Sequence, residues 1–346
     1  MTSRELEGWI EATGLPTGVR GGTATRRFAG VSASPFDRAN YGQRCGDDAK
    51  AVMRNRGLLR ESLGLAHEPV WLQQVHGTDV MIVSAEPGSG ANSALQERRT
   101  QGSCRAELAR LEPAKSSGAS SALQEQPAQG SCRAELARLE PAESSGASSA
   151  LQEQRKQGSG RAELARLELA KSSGASSALQ ERGGSAPVAD ACIVRGRGLA
   201  AVIQTADCLP ILLAAADGDE VAAIHAGWRG LAAGVIEATL AAMHAAPASI
   251  HAWLGPAIGQ RAFEVGPEVR AAFVDSDPGA ADFFQRGNDD RWHADLAGLA
   301  RRRLVALGVV KVSSGDWCTV VAAGDFHSYR RDGARSGRMA TLVWRE

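Results

Sequence analysis

The block SALQE occurs four times, at Ser93, Ser121, Ser149 and Ser177, always 28 residues apart. Between the copies, RAELARLE recurs at Arg105, Arg133 and Arg161. A repeat of this length can signal a stacked solenoid. Here each copy carries few large apolar residues, such as Leu95, Leu108 and Leu111, among Ala, Ser, Gly, Glu, Gln and Arg. So little apolar surface does not offset the entropy of ordering the chain. The segment 89–185 is therefore expected to be an insertion, unpacked or loosely helical, with S-A-L-Q as a capping box and GASS and QGS as linkers. The flanks, 1–88 and 186–346, total about 250 residues and suit one catalytic domain.

Composition narrows the function classes. Acidic and basic residues balance at 39 each, which leaves no cationic surplus for a nucleic-acid backbone. The N-terminus lacks an apolar signal core. The most apolar window, LAAVIQTADCLPILLAAA, is interrupted by Gln204, Asp207 and Pro210 and makes a poor membrane span. A cytoplasmic protein without nucleic-acid or membrane partners is expected. The six cysteines do not form a disulfide framework. Cys104 and Cys132 are repeat equivalents, and the third copy has Gly160 in their place.

Outside the insertion, strands and helices alternate. LAAVIQ and LPILLAA read as strands separated by TADC, with Pro210 limiting regular pairing. VAAIHA reads as a strand. GWRGLAAGVIEATLAAMHAA reads as one amphipathic helix with Leu231, Val235, Ile236, Leu240 and Met243 on its apolar face. HAWLG reads as another strand, and GPEVRAAFV and DLAGLARRRLVALGV as helices. The class is α/β (α+β): one layered domain with mixed β-sheets flanked by helices.

His76 in QQVHGTDV, Cys208 in TADCLP and His225 in IHAGWRG all sit where apolar segments end. One thiolate and two imidazoles suit zinc with an open coordination position, and copper accepts the same ligands. Each also has an ordinary structural role open to it, Cys208 as a small buried apolar group and the histidines as satisfied hydrogen-bonding groups. On ligand types alone the structural roles are favoured. Arg229, Arg330 and Arg331 are candidates for anion binding or for structural ion pairs. His327 is a candidate pocket residue, Trp228 a core residue, and Cys192 and Cys318 read as core.

In order along the chain, QVHGTDV, ADACIV, TADCLPILL, AAIHAGWRGLAAGVIEAT, LGPAIG, FEVGPEV, WCT and SYRRDG..SGR closely resemble the YfiH family. That family is also called laccase-domain or multicopper polyphenol oxidase-like, and its bacterial members peptidoglycan editing factor. RANYGQRCGDD is similar to a further family segment and retains its Asn40. The repeat is not a family feature. The resemblance implies one layered α/β domain with zinc on His76, Cys208 and His225. It also implies phosphorolysis of purine nucleosides (adenosine, inosine, guanosine, methylthioadenosine) to base and ribose 1-phosphate, and deamination of adenosine. We expect His76, Cys208 and His225 to be catalytic and Arg229, Arg330 and Asn40 to contact substrate or phosphate. The alternatives are a hydrolase removing L-Ser from a muramyl precursor, or a non-catalytic binding module. Copper polyphenol oxidation fits least, because a multicopper cluster needs more than the seven histidines here. The sequence leaves the oligomeric state open.

Overall fold

The computed structural model describes residues 6–85, 95–100 and 186–346. All of these fall in one compact unit. Apart from Leu95–Thr100, the expected insertion lies outside the described residues, as do the repeat thiols Cys104 and Cys132.

The largest sheet has seven strands: β3 (Val80–Ala85), β4 (Leu95–Thr100), β5 (Ala191–Arg195), β7 (Leu209–Ala215), β8 (Glu220–Ala226), β9 (Ile250–Leu254) and β13 (Lys311–Ser314). Their spatial order is β13-β9-β7-β8-β5-β3-β4. The β13–β9 and β5–β3 pairs are parallel and the rest antiparallel, so the sheet is mixed. A second, antiparallel sheet orders β1 (Trp9–Glu11), β2 (Val19–Ala24), β14 (Met339–Arg345) and β6 (Ala200–Thr205). A small third sheet holds β10 (Glu264–Val265), β12 (Trp292–Ala294) and β11 (Phe284–Arg286).

Period-two alternation distributes the apolar residues of β7 between two cores. Leu209, Ile211 and Leu213 face one cluster, while Leu212 and Ala214 face another. The second cluster also takes Val83, Cys192, Val194 and Trp253 from the large sheet and Ala201, Ile203 and Val343 from the four-stranded sheet. It is the layer where the two sheets meet. On the outer face of the large sheet lie α2 (Trp228–Ala233), α3 (Val235–Ala242), α4 (Pro267–Val274) and α5 (Leu296–Ala306), which contribute Leu231, Ile236, Phe273 and Leu299. The outer face of the four-stranded sheet is covered by α1 (Ala49–Leu63) through Leu59 and Leu63, with Phe28, Tyr41 and Trp71. A strand covered on both faces reads as a continuous apolar run, which explains LPILLAA. A short helix, α6 (Tyr329–Asp332), precedes β14. No helix among the described residues is long and apolar enough to cross a membrane.

Four local expectations need correction. The segment after His225 is two helices, because Gly234 adopts a left-handed conformation (φ 98°) between α2 and α3. Pro210 lies within β7 and pairs with His225; the ladder to β9 begins one residue later, at Ile211. Leu95–Thr100, expected to be unpacked or loosely helical, forms the edge strand β4. Cys318 is only half-buried, and its sulfur accepts the Gly259 N–H, whereas Cys192 is fully buried.

Candidate metal centre and substrate cavity

Strand polarity brings the candidate ligands to one end of the large sheet. Cys208 immediately precedes β7, Asp190 immediately precedes β5, and His76 lies in the loop leading to β3. β8 runs antiparallel to β7 and β5, so its last turn of chain, at His225, reaches the same end. Those strands are adjacent in the order β7-β8-β5-β3. Residues 132 positions apart in sequence thereby become neighbours: Cys208 Sγ lies 3.7 Å from His76 Nε2. The His76 and His225 rings stand edge to face with centroids 4.7 Å apart.

One ligand atom from each of His76, Cys208 and His225 falls within 4.8 Å of the others. It is the one such group among the described residues. Sulfur at about 2.3 Å and nitrogen at about 2.0 Å from one tetrahedral ion stand roughly 3.6 Å apart. The observed sulfur–nitrogen separation fits that spacing. His225 is buried, Cys208 half-buried and His76 exposed, so the cluster has a protein side and an open side. The donor set fits a metal ion.

Backbone conformation makes the cluster possible. His76 and Asp207 both have positive φ, 63° and 86°, an arrangement uncommon outside glycine that turns each loop sharply. A Cβ on Gly227 would lie 2.8 Å from His76 Cδ2 and 3.0 Å from Cys208 Sγ. Only a residue without one lets the chain pass behind both ligands.

Two carboxylates hold these loops. Asp207 accepts from the Thr319 hydroxyl at 2.5 Å and from the Arg330 backbone N–H at 2.7 Å, tying the Cys208 loop to α6. Asp190, whose side chain is fully buried, accepts from His225 Nδ1 at 2.8 Å and from the backbone N–H groups of Val75, His76 and Gly77. Burial pushes the Asp190 carboxyl up, but His225 and those N–H groups outweigh it and hold it below the usual carboxylate range. Burial likewise opposes charge on Cys208 and His225. Their mutual attraction, with help from His76 and Asp190, still moves the thiol down and the imidazole up.

The cluster opens into a cavity of about 720 Å³, within the range of small-molecule sites. Five arginines line it, Arg44, Arg56, Arg229, Arg330 and Arg338, against one carboxylate, Asp207. Trp71, Phe263 and Tyr329 provide aromatic surface. Arg229 and Arg330 thus both line the cavity. The Arg229 guanidinium lies 4.5 Å over the Trp228 ring and makes no hydrogen bond or ion pair among the described residues. Trp228 itself packs against the helix-side core. Arg330 reaches the carbonyls of Ala262 and Glu264.

Other expected site residues are placed elsewhere. Asn40 is fully buried, and its amide is engaged with Asp47, Gly42 and the Arg338 N–H. It shapes the loop carrying Arg44 but does not line the cavity. His327 is buried with Nε2 donating to the Ala39 carbonyl, and Arg331 is bound to the carbonyls of Thr319, Val320 and Phe326. Sequence reasoning missed Asp190 and the pair Arg44 and Arg56. For Asp190 the one available signal, not sufficient to assign a role, was an acidic residue within the otherwise apolar ADACIV.

Comparison with known proteins identifies the family. The family described as multi-copper polyphenol oxidoreductase laccase matches residues 22–105 and 149–346. A Xylella fastidiosa protein named purine nucleoside phosphorylase is 35% identical over 335 residues, covering 95% of this chain and 93% of the relative. The Escherichia coli protein named purine nucleoside phosphorylase YfiH is 34% identical over 330 residues, covering 95% of each. The crystal structure of Neisseria meningitidis protein NMB0706 superposes with a TM-score of 0.66 at 30% identity, covering 98% of this chain and 100% of that one. With the family match spanning most of its length and relatives of 34–35% identity covering 95% of it, the chain belongs to the YfiH, or laccase-domain, family.

Proposed function

We propose that this chain is a zinc-dependent purine nucleoside phosphorylase. In that reaction the bond from ribose C1′ to the purine nitrogen breaks, a phosphate oxygen bonds to C1′, and the base leaves with a proton. The observation that carries the reading is the charge of the cavity: five guanidiniums surround a three-donor cluster, and the one lining carboxylate is already occupied by Thr319 and Arg330. Such a cavity suits an anionic co-substrate held beside a neutral one. The names of the curated relatives support the same substrate pair.

His76, Cys208 and His225 would hold the zinc ion, which supplies a Lewis-acid centre and acidifies water when bound. Arg229 follows His225 by four residues and has an uncommitted guanidinium, so it takes the phosphate in a forked pair of charge-assisted hydrogen bonds. Arg330, fixed through its backbone to Asp207, places a second positive charge on the same ligand. Tyr329, the exposed ring of the cavity, offers a face for the purine, whereas Trp71 is covered by Arg56 and Tyr41.

Deamination of adenosine is a slower second reaction of the same site. Three protein ligands with an open position are the donor arrangement of zinc deaminases, which also need a carboxylic acid/base. Among the described residues the cavity offers only Asp207 for that role, and its oxygens are taken.

The test is to incubate zinc-loaded protein with inosine and phosphate. Hypoxanthine and ribose 1-phosphate are expected, with none when phosphate is omitted. With adenosine, adenine should exceed inosine. No base release from a fully metallated sample overturns the reading, and release of serine from a muramyl conjugate would install the editing hydrolase in its place.

A further inference from the structure

We propose that Asp190 is the positioning residue of the metal centre, one carboxylate that sets both the nitrogen offered by His225 and the loop carrying His76. The inference rests on the metal-binding reading of the cluster. Oδ1 accepts from His225 Nδ1 at 2.8 Å and from the His76 N–H at 2.9 Å. Oδ2 accepts from the Gly77 N–H at 2.7 Å, and the Val75 N–H lies 3.2 Å from both oxygens. The Asp190 carbonyl also receives the His225 N–H at 2.7 Å.

Each contact has a consequence for the ligands. A carboxylate accepts only, so Nδ1 of His225 carries the proton and Nε2 keeps its lone pair for a metal. Three successive backbone N–H groups pointing at one anion form an anion-binding concavity. That concavity includes His76, whose φ of 63° is uncommon for a residue with a side chain. Neutralising the carboxylate therefore acts on two ligands at once. Asparagine keeps the size of aspartate but has a single acceptor oxygen, and its NH₂ would face an N–H donor. Asp190 is buried behind His225 and does not line the cavity, so its influence passes through the ligands.

The full-length wild type, Asp190→Asn and Leu212→Ala are stripped of metal and titrated with Co²⁺ against a competing chelator. The thiolate-to-cobalt charge-transfer band and the visible ligand-field bands are recorded in parallel. Asp190→Asn should bind Co²⁺ about 10- to 100-fold more weakly and show altered ligand-field bands. Leu212→Ala, a core change distant in role, should lose thermal stability but keep wild-type affinity and bands. Equal affinity and spectra for Asp190→Asn and wild type overturn the proposal alone. A wild type that binds no ion removes the metal reading and this proposal with it. Should Asp190→Asn not fold, the ¹⁵N spectrum of metal-loaded wild type decides: a protonated Nδ1 on His225 is expected, and coordination through Nδ1 overturns the assignment.

Discussion

At the scale of single residues, the cluster makes sharp demands. Cys208→Ala removes the sulfur of the His76–Cys208–His225 cluster and should reduce bound zinc from about one ion per chain to a small fraction, with the fold retained; elemental analysis reads this directly. Gly227→Ala is a steric test. Its φ of −64° is one alanine adopts freely, so the conflict lies only in the Cβ, 2.8 Å from His76 and 3.0 Å from Cys208. Metal affinity should fall while the melting temperature changes little. His327 sets an acid limit on stability. Burial holds its imidazole neutral in the folded protein, pushed down to about 4, against roughly 6.5 in an unfolded chain. The unfolded state therefore takes up the proton first. Stability is complete above about pH 6.5 and is lost as pH falls to about 4, by on the order of 3 kcal/mol. Urea titrations at pH 7 and pH 4.5 should show this loss in wild type and a smaller one in His327→Gln. His76, Cys208, His225 and Arg229 were legible as residue types at segment ends, and the structure brings all four to one cavity. Asp190 was not, because nothing in ADACIV tells a carboxylate that receives four hydrogen bonds from one that faces water. Asn40 shows the same limit: a buried amide organising a loop has the same one-letter signature as one contacting substrate.

At the scale of elements, β7 is the strand with most at stake. Both its faces are buried, and Leu212 projects into the layer between the sheets, close enough to Gly21 that a Cβ there would meet Leu212 Cδ1 at 2.9 Å. Leu212→Ala should cost about 2–5 kcal/mol in chemical denaturation, since so tight a seam collapses poorly around a void. Strands such as LPILLAA and VAAIHA were legible because continuous apolar runs bounded by turns specify buried strands. The break at Gly234 was not, since the apolar spacing continues through it and only the left-handed φ shows the interruption. β4 escaped for a different reason. LQERRT has no alternation of apolar and polar residues; it is a strand because β3 has an unpaired edge to complete, a property of the sheet and not of the segment.

At the scale of the whole molecule, every residue of the metal cluster and cavity lies in 42–76, 186–229, 258–263 or 329–338. Removing 107–174 should therefore leave zinc content, inosine cleavage and melting temperature near wild-type values; a fall in metal content would mean that the deleted segment supports the centre. The family match itself skips 106–148 and resumes at Ser149, where a fresh copy of the repeat begins. β4 opens with Leu95, Gln96 and Glu97 opposite Ala85, Ser84 and Val83. The same Leu-Gln-Glu triplet returns at Leu123, Leu151 and Leu179. If recombination excised the first 28-residue unit, the same triplet would arrive opposite Ala85, Ser84 and Val83, but Gln126, Pro127 and Ala128 would stand in place of Arg98, Arg99 and Thr100. Half of the sheet's border would thus survive such a contraction unchanged, while a proline brought opposite Met81 would take one backbone donor from the other half.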